Sequence, residues 1–188
     1  MVTEEDLKKF FGELEIPEKL FALRKFDEEV AQGYWFSEGF EFSLDKDRVG
    51  LKTYSDDTEF LNSLYEFANA DGNGSSYGFW LCDGNVDLNK APIVAFGSEG
   101  GFHIVAKDLS GLLEILTFDS EPMIDWDEIY YYKDPDDFEP SPKSEEYCSW
   151  LKEKYEIGKI DNADNLVKEA QKQYQSLFKN WVNKYYQD

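Results

Sequence analysis

The sequence predicts an α+β domain in which helices flank a central, mostly antiparallel sheet. Apolar residues recur at helical spacing near both ends of the chain, whereas short apolar or alternating segments bounded by turn residues occupy its middle. The 188 residues are 41% hydrophobic and 17% aromatic, which is enough for one sizeable core. We therefore expect a single domain over residues 1–188, with a helical C-terminal extension over 143–188 packed on it.

Two helices are predicted at the start of the chain. In TEEDLKKFFGEL, one face of the helix is apolar and Thr3 can cap its first turn. The apolar residues of that face are Leu7, Phe10, Phe11 and Leu14. The second helix lies in IPEKLFALRKFDEEVAQG, where Pro17 suits a first helical turn and Gly33 suits an end.

A β-hairpin and a third helix are predicted next. GFEFSL alternates apolar and polar residues, and RVGLKTY follows it after the polar turn DKD, so the two segments are interpreted as paired strands. In DDTEFLNSLYEFANADG, Asp56 is followed three residues later by Glu59, which is typical of a helix start, and Gly72 is a natural stop. This third helix is expected over residues 56–72.

Three strands and three helices complete the prediction. The strands are SYGFWLC, PIVAFG and FHIVA, the last two joined by the turn SEGG, and a short helix follows in DLSGLLEIL. Two further helices lie in SEEYCSWLKEKYEIG and DNADNLVKEAQKQYQSLFKNWVNKYYQD. The last helix is expected to bury a wide apolar stripe, made of Ala163, Leu166, Val167, Ala170, Tyr174, Leu177, Phe178, Trp181, Val182 and Tyr185.

The charge of the chain limits its partners. Forty carboxylates against 19 basic residues give a formal charge of −21, which repels nucleic acid and anionic membranes and attracts cationic partners. Residues 119–140 hold nine carboxylates and one lysine, so this short segment alone carries −8. Direct nucleic-acid binding and membrane binding are therefore not expected, whereas a basic protein partner is.

The termini and the cysteines indicate a reduced, cytoplasmic protein. Two cysteines are too few for a disulfide framework and lack the spacing of a metal knuckle. The first residues, MVTEEDLKKFFGEL, are acidic where a signal peptide is basic, and no later segment is as long and apolar as a membrane span.

The glycine-rich segment DGNGSS at residues 71–76 is tested as a calcium loop. Asp71, Asn73 and Ser75 alternate as in an EF-hand, but Ser76 stands at the required glycine and Cys82 at the required glutamate. A turn from helix to strand, with Asn73 or Gly74 at positive φ, is the favoured interpretation. No metal and no cofactor are expected.

Catalytic residue patterns are weak. His103 is the only histidine and is expected to be a packed strand residue, and Ser98 lacks the glycine of a nucleophile elbow. No glycine-rich turn is followed by the lysine of a nucleotide loop. A sugar-binding or glycoside-acting protein stays open as an alternative, since two opposed carboxylates would suffice for hydrolysis. Its candidate acids are Glu99, Asp83, Asp125, Asp127 and Glu128. A non-enzymatic protein is the favoured prediction.

The acidic, aromatic segment from Trp126 to Phe138 is the favoured partner-binding surface. Three consecutive tyrosines cannot all point to one side, so at least one is expected in solvent beside carboxylates, where rings anchor a basic partner and acids steer it. The alternative is an acidic loop whose tyrosines cover the edge of the core. The candidate contact residues are Trp126, Asp127, Glu128, Tyr130, Tyr131, Tyr132, Asp134, Asp136 and Asp137, extended by Glu99 and Asp83.

The segment FANADGNGSSYGFWLCDGN, followed by APIVAFGSEGGFHIVAKDLSGLLEIL, resembles the SUKH superfamily. That group includes fungal cell-wall synthesis regulators of the Smi/Knr type and many bacterial immunity proteins. The resemblance covers residues 57–118 and rests on the order of a helix with a glycine turn, strands around an acidic turn and a final apolar helix.

The resemblance implies an α+β fold that works by binding rather than by catalysis. It implies a bacterial immunity protein that neutralises a cognate toxin domain, often a nuclease, inside the cell. A regulatory or scaffold protein of the cell-wall synthesis regulator type is the alternative within the same group.

Overall fold

The computed structural model describes residues 2–82, 84 and 86–186. A five-stranded sheet lies at the centre, and its strands neighbour one another in chain order, each antiparallel to the next. The five strands are β1 (Glu41–Phe42), β2 (Leu64–Asn69), β3 (Ser76–Trp80), β4 (Ile93–Phe96) and β5 (Phe102–Ala106). The protein is thus an α+β protein with a central antiparallel sheet, as the sequence predicts.

Helices cover both faces of this sheet because its strands are apolar on both sides. Successive residues alternate between two cores: Phe79 and Ile93 belong to the first, and Trp80 and Val94 to the second. The helices are α1 (Glu4–Phe11), α2 (Glu18–Phe26), α3 (Val49–Lys52), α4 (Thr58–Ser63), α5 (Leu109–Leu116), α6 (Ser144–Tyr155) and α7 (Asp164–Val182). Helices α1, α2, α5 and α6 pack on the first face, and α3, α4 and the end of α7 pack on the second.

The first two predicted helices are confirmed. The Thr3 hydroxyl accepts a hydrogen bond from the Asp6 backbone N–H at 3.1 Å, and the Asp6 carboxylate accepts one from the Thr3 N–H at 3.1 Å. This reciprocal cap starts α1. Pro17 precedes α2, which continues into one π-helical turn over Asp27–Ala31 before the chain leaves at Gly33.

The predicted pairing of GFEFSL with RVGLKTY is wrong. Residues 48–54 contain the short helix α3 instead of a strand, and β1 pairs with β2. Arg48 explains the departure, since its guanidinium donates to the carbonyls of Leu61 and Leu64 and stacks 4.5 Å from the Tyr65 ring centroid. These contacts turn the segment back onto the start of β2.

The predicted helix over 56–72 is correct only in its first turns. Helix α4 starts behind Asp57, whose carboxylate accepts the N–H of Glu59 at 2.8 Å, but the chain becomes strand β2 at Leu64. The spacing of Leu64, Phe67 and Ala68 fits both a helix and a strand that is buried on both faces. Pairing with β3 decides for the strand, because it buries Phe67 against the ring of Phe79 at 4.6 Å.

The C-terminal helices are confirmed, and α7 packs along β5. Phe178 is fully buried, with its ring 4.9 Å from that of Trp80. One residue of the predicted stripe lies elsewhere, since Leu177 is 51% exposed. Helix α7 also covers the edge of the sheet, because the Ile104 N–H donates to the Gln175 side-chain oxygen at 2.8 Å. Among the described helices, none has the length and apolar character needed to cross a bilayer.

Candidate partner-binding surface

A small β-hairpin that the sequence did not predict forms the candidate surface. Strands β6 (Pro122–Ile124) and β7 (Ile129–Tyr131) pair antiparallel, and their turn lies against the β4–β5 turn. A side chain at Gly101, which has φ +84°, would come within 2.1 Å of the Asp125 carbonyl oxygen. The glycines of the predicted SEGG turn therefore serve to admit this hairpin.

Buried polar contacts fix the hairpin on the domain. Tyr131 is buried, and its hydroxyl lies 2.8 Å from the hydroxyl of Tyr77 on β3. The Tyr131 N–H donates to the Asp164 carboxylate at 2.9 Å, which ties β7 to the start of α7. His103 Nε2 lies 2.8 Å from the Asp125 carbonyl oxygen. Burial lowers the pKa of His103. Because a carbonyl oxygen only accepts, Nε2 carries the hydrogen and donates this bond.

The structure corrects the prediction that Tyr131 contacts a partner. Tyr131 packs in the core and is not available to a partner. Alternation along the strand gives the reason, because side chains of successive strand residues point to opposite faces. Tyr130 and Tyr132, on either side of Tyr131, are exposed as the sequence predicted for at least one of the three.

Four large side chains of the hairpin and its flanks are exposed, and we name this set the hairpin face. Met123 lies directly opposite Tyr130 in the β6–β7 register, and Tyr132 follows two residues later. Trp126, at the hairpin turn, is 54% exposed and rests on Gly100, where an added Cβ would lie 2.2 Å from the indole. The hairpin face thus consists of Met123, Trp126, Tyr130 and Tyr132, all exposed.

Carboxylates surround the turn end of the hairpin face. The Asp125 carboxylate accepts the N–H groups of Asp127 and Glu128, each at 2.8 Å, and these bonds lower the pKa of Asp125. The side chains of Asp127 and Glu128 are exposed and line a cleft of about 230 Å³, to which α7 contributes Lys168 and Lys179. Carboxylates of the hairpin and lysines of α7 therefore line the same cleft, together with Asp164 at the start of that helix.

A second group of carboxylates follows Tyr132. The Asp134 carboxylate accepts the Asp136 N–H at 3.0 Å and so forms a tight turn that leaves Asp136 and Asp137 exposed. Lys133 does not neutralise them through an ion pair but lies 3.8 Å from the Phe138 ring centroid. Over the described residues, none of the candidate acids forms an ion pair.

The two outlying candidates differ in status. Glu99 is exposed on the β4–β5 turn, one residue before the glycine on which Trp126 rests, so it extends the acidic surroundings of the hairpin face. Asp83 lies outside the described residues.

Met123 is the residue that sequence reasoning missed. The alternation of buried and exposed residues in PMI indicates an exposed Met123, but this alternation can be interpreted only once the pairing of β6 with β7 is known.

The glycine-rich segment at 71–76 forms a turn, with one correction. Gly74 has φ +100°, as expected, and the Asp71 carboxylate accepts the N–H groups of Asn73 and Ser75 at 2.8 and 2.9 Å. The turn joins strand β2 to β3 instead of a helix to a strand. Within the described part of the chain, no three His, Cys, Asp or Glu side chains are grouped to hold a metal ion.

No family model, curated protein or solved structure that was compared with the chain matches it. The structure itself gives the class of protein: an α+β fold that carries a hairpin with exposed aromatic side chains surrounded by carboxylates.

Proposed function

We propose that the protein is an immunity protein, which binds a basic toxin domain such as a nuclease and blocks its active surface. The protein itself carries out no reaction in this proposal. Its contribution is to attract, anchor and cover the partner.

The hairpin face is the observation that supports this proposal most. Exposed Trp, Tyr and Met side chains are enriched at the centres of protein interfaces, where they supply most of the binding energy. The buried Tyr77–Tyr131 contact fixes the hairpin on the domain, so its backbone does not have to be ordered when a partner binds.

The surrounding charge supports a basic partner. A nuclease must present cationic groups to the phosphates of its substrate. A protein of charge −21 therefore attracts such a domain from a distance, and the acids near Trp126 and Tyr132 can pair with groups that would otherwise hold nucleic acid. The sequence resemblance of residues 57–118 to the SUKH superfamily favours the same function, although strand β2 stands where that pattern has a helix before the glycine turn.

Inhibition of a nuclease tests the proposal. The proposal expects a basic toxin domain to be encoded beside this protein's gene, and that domain is titrated with the protein while cleavage of nucleic acid is measured. We expect stoichiometric inhibition by the native protein, and at least a hundredfold weaker inhibition by Trp126→Ala with Tyr132→Ala, since two interface anchors are lost.

The control is Val49→Ala with Leu177→Ala, which truncates two exposed apolar side chains on α3 and α7, outside the hairpin face. This control should inhibit like the native protein. Undiminished inhibition by the Trp126 and Tyr132 double variant would contradict the proposal, as would a catalytic effect in which one protein molecule inactivates many toxin molecules.

A further inference from the structure

A second surface feature lies at the other edge of the sheet. A groove of about 480 Å³ lies beside β1, the edge strand opposite to β5. Its walls are the segment after the π-helical turn, strand β1 with its flanks, and the chain around α1. The lining side chains that matter here are Asp6, Asp27, Tyr34, Trp35, Glu41 and Lys46.

The outward edge of β1 borders this groove. The Ser43 N–H donates to the Phe67 carbonyl at 3.1 Å, so Ser43 and, two residues earlier, Glu41 face β2. In an antiparallel pair the intervening residue, Phe42, points its N–H and C=O away from the partner strand. Phe42 lines the groove. The opposite edge differs, since Gln175 of α7 covers it at Ile104.

The charges in the groove leave an anionic excess. Lys46 is paired with Asp6 at 2.8 Å. Among the described residues, neither Asp27 nor Glu41 forms an ion pair, and Asp27 is half-buried. Burial raises the pKa of Asp27, the charge of Arg24 opposes this shift, and the neighbouring charge of Glu41 adds to it. A cationic group placed between Asp27 and Glu41 would favour the charged form of both carboxylates.

Two exposed rings stand beside these carboxylates. Tyr34 is 61% exposed and Trp35 is 59% exposed, although both lie on the wall of the groove. The Trp35 carbonyl accepts the Lys143 N–H at 3.0 Å, so its backbone is fixed. Aromatic faces bind the ammonium or guanidinium group of a side chain and pack against its aliphatic stem.

We propose that this groove binds an extended, lysine- or arginine-bearing segment of a partner protein. The segment pairs with the outward backbone groups of Phe42, and one cationic side chain lies between Asp27 and Glu41 against the rings of Tyr34 and Trp35. This is the addition of a strand to a sheet edge, with charge and rings selecting the side chain. The proposal does not depend on the hairpin face or on a toxin.

A synthetic peptide tests the groove. A fluorescent, end-blocked octapeptide that alternates lysine with valine is titrated with the full-length protein at low salt, and its anisotropy is recorded. We expect saturable binding that Asp27→Asn with Glu41→Gln weakens about tenfold, since two charge contacts are lost. Trp35→Ala should weaken binding to a similar degree. A peptide N-methylated at alternate residues should bind at least tenfold more weakly, because methylation blocks strand pairing.

The matched control is Asp136→Asn with Asp137→Asn, which removes the same charge at another surface. This control should bind the peptide within twofold of the native protein. Equal weakening by both pairs of substitutions would overturn the proposal in favour of unspecific attraction to an acidic protein. Absence of peptide binding, with a concentration-dependent dimer that Trp35→Ala dissociates, would overturn it in favour of pairing between two copies of the chain.

Discussion

Glu66 is a carboxylate whose surroundings disfavour its charged form. It lies on β2, nearly buried, and Ser76 donates to its Oε1 while its Oε2 has no hydrogen-bond partner. Burial raises the pKa of Glu66, and the nearby Asp45 adds to this effect, whereas Arg48 opposes it. The folded protein therefore holds the Glu66 proton more tightly than the unfolded chain does.

Glu66→Gln should stabilise the protein at neutral pH. The stability from the raised pKa is fully present below the unfolded value of 4.5 and is lost as pH rises through the folded pKa. Glutamine stays neutral, so we expect the free energy of unfolding at pH 7.5 to rise by about 1 kcal/mol, the size of a net hydrogen bond. Urea unfolding at several pH values measures this, with the exposed Glu13→Gln as control. A gain that does not shrink toward pH 4 would contradict the explanation.

Gly100→Ala should disturb the hairpin face without removing any of its side chains. The new Cβ would lie 2.2 Å from the Trp126 ring, and Gly100 has φ +108°, which strains any L residue. We expect a stability loss of roughly 1–3 kcal/mol from that strain, together with a change in Trp126 fluorescence. Gly158→Ala, which meets no atom within 4 Å, is the control and should change neither. An unchanged Trp126 signal in Gly100→Ala would show that the indole does not rest on this turn.

At the scale of elements, the sequence correctly predicted the helices and strands whose residue pattern fits only one type of secondary structure. The cap of α1, the strands β3 to β5, and helices α5 to α7 follow from local signals such as Thr3 and the stripe of α7. Strand β2 and helix α3 could not be predicted, because long-range contacts of Phe67 and Arg48 decide them. The sequence predicted which segment forms the candidate surface. It could not predict which of the three tyrosines are exposed, because that depends on the register of β6 with β7.

Helix α7 should respond very differently to two adjacent substitutions. Phe178 is fully buried against Trp80 and Phe102, so Phe178→Ala should cost about 3–5 kcal/mol through lost burial and a cavity. Leu177 is half-exposed, so Leu177→Ala should cost less than about 1 kcal/mol. Chemical denaturation of both variants checks this. Equal costs would mean that α7 is rotated from the described position.

At the scale of the whole molecule, the two edges of the sheet have different neighbours. Helix α7 covers β5 and begins beside β7, where Asp164 accepts the Tyr131 N–H, while β1 borders an anionic groove. The net charge of −21 acts on both surfaces, so charge alone cannot distinguish them. Substitutions that remove the same charge at each surface can distinguish the two surfaces.

Binding rate constants for the basic toxin domain, measured at low and high salt, test most directly whether the hairpin face is the binding surface. Asp136→Asn with Asp137→Asn should slow association several-fold at low salt and little at high salt, because these exposed charges steer the partner. Tyr132→Ala should speed dissociation by roughly thirtyfold, equivalent to about 2 kcal/mol, at both salt concentrations. Asp27→Asn with Glu41→Gln removes the same charge at the other edge and should leave dissociation unchanged. Binding that is insensitive to Tyr132→Ala, or slowed equally by the two pairs of charge substitutions, would contradict the account.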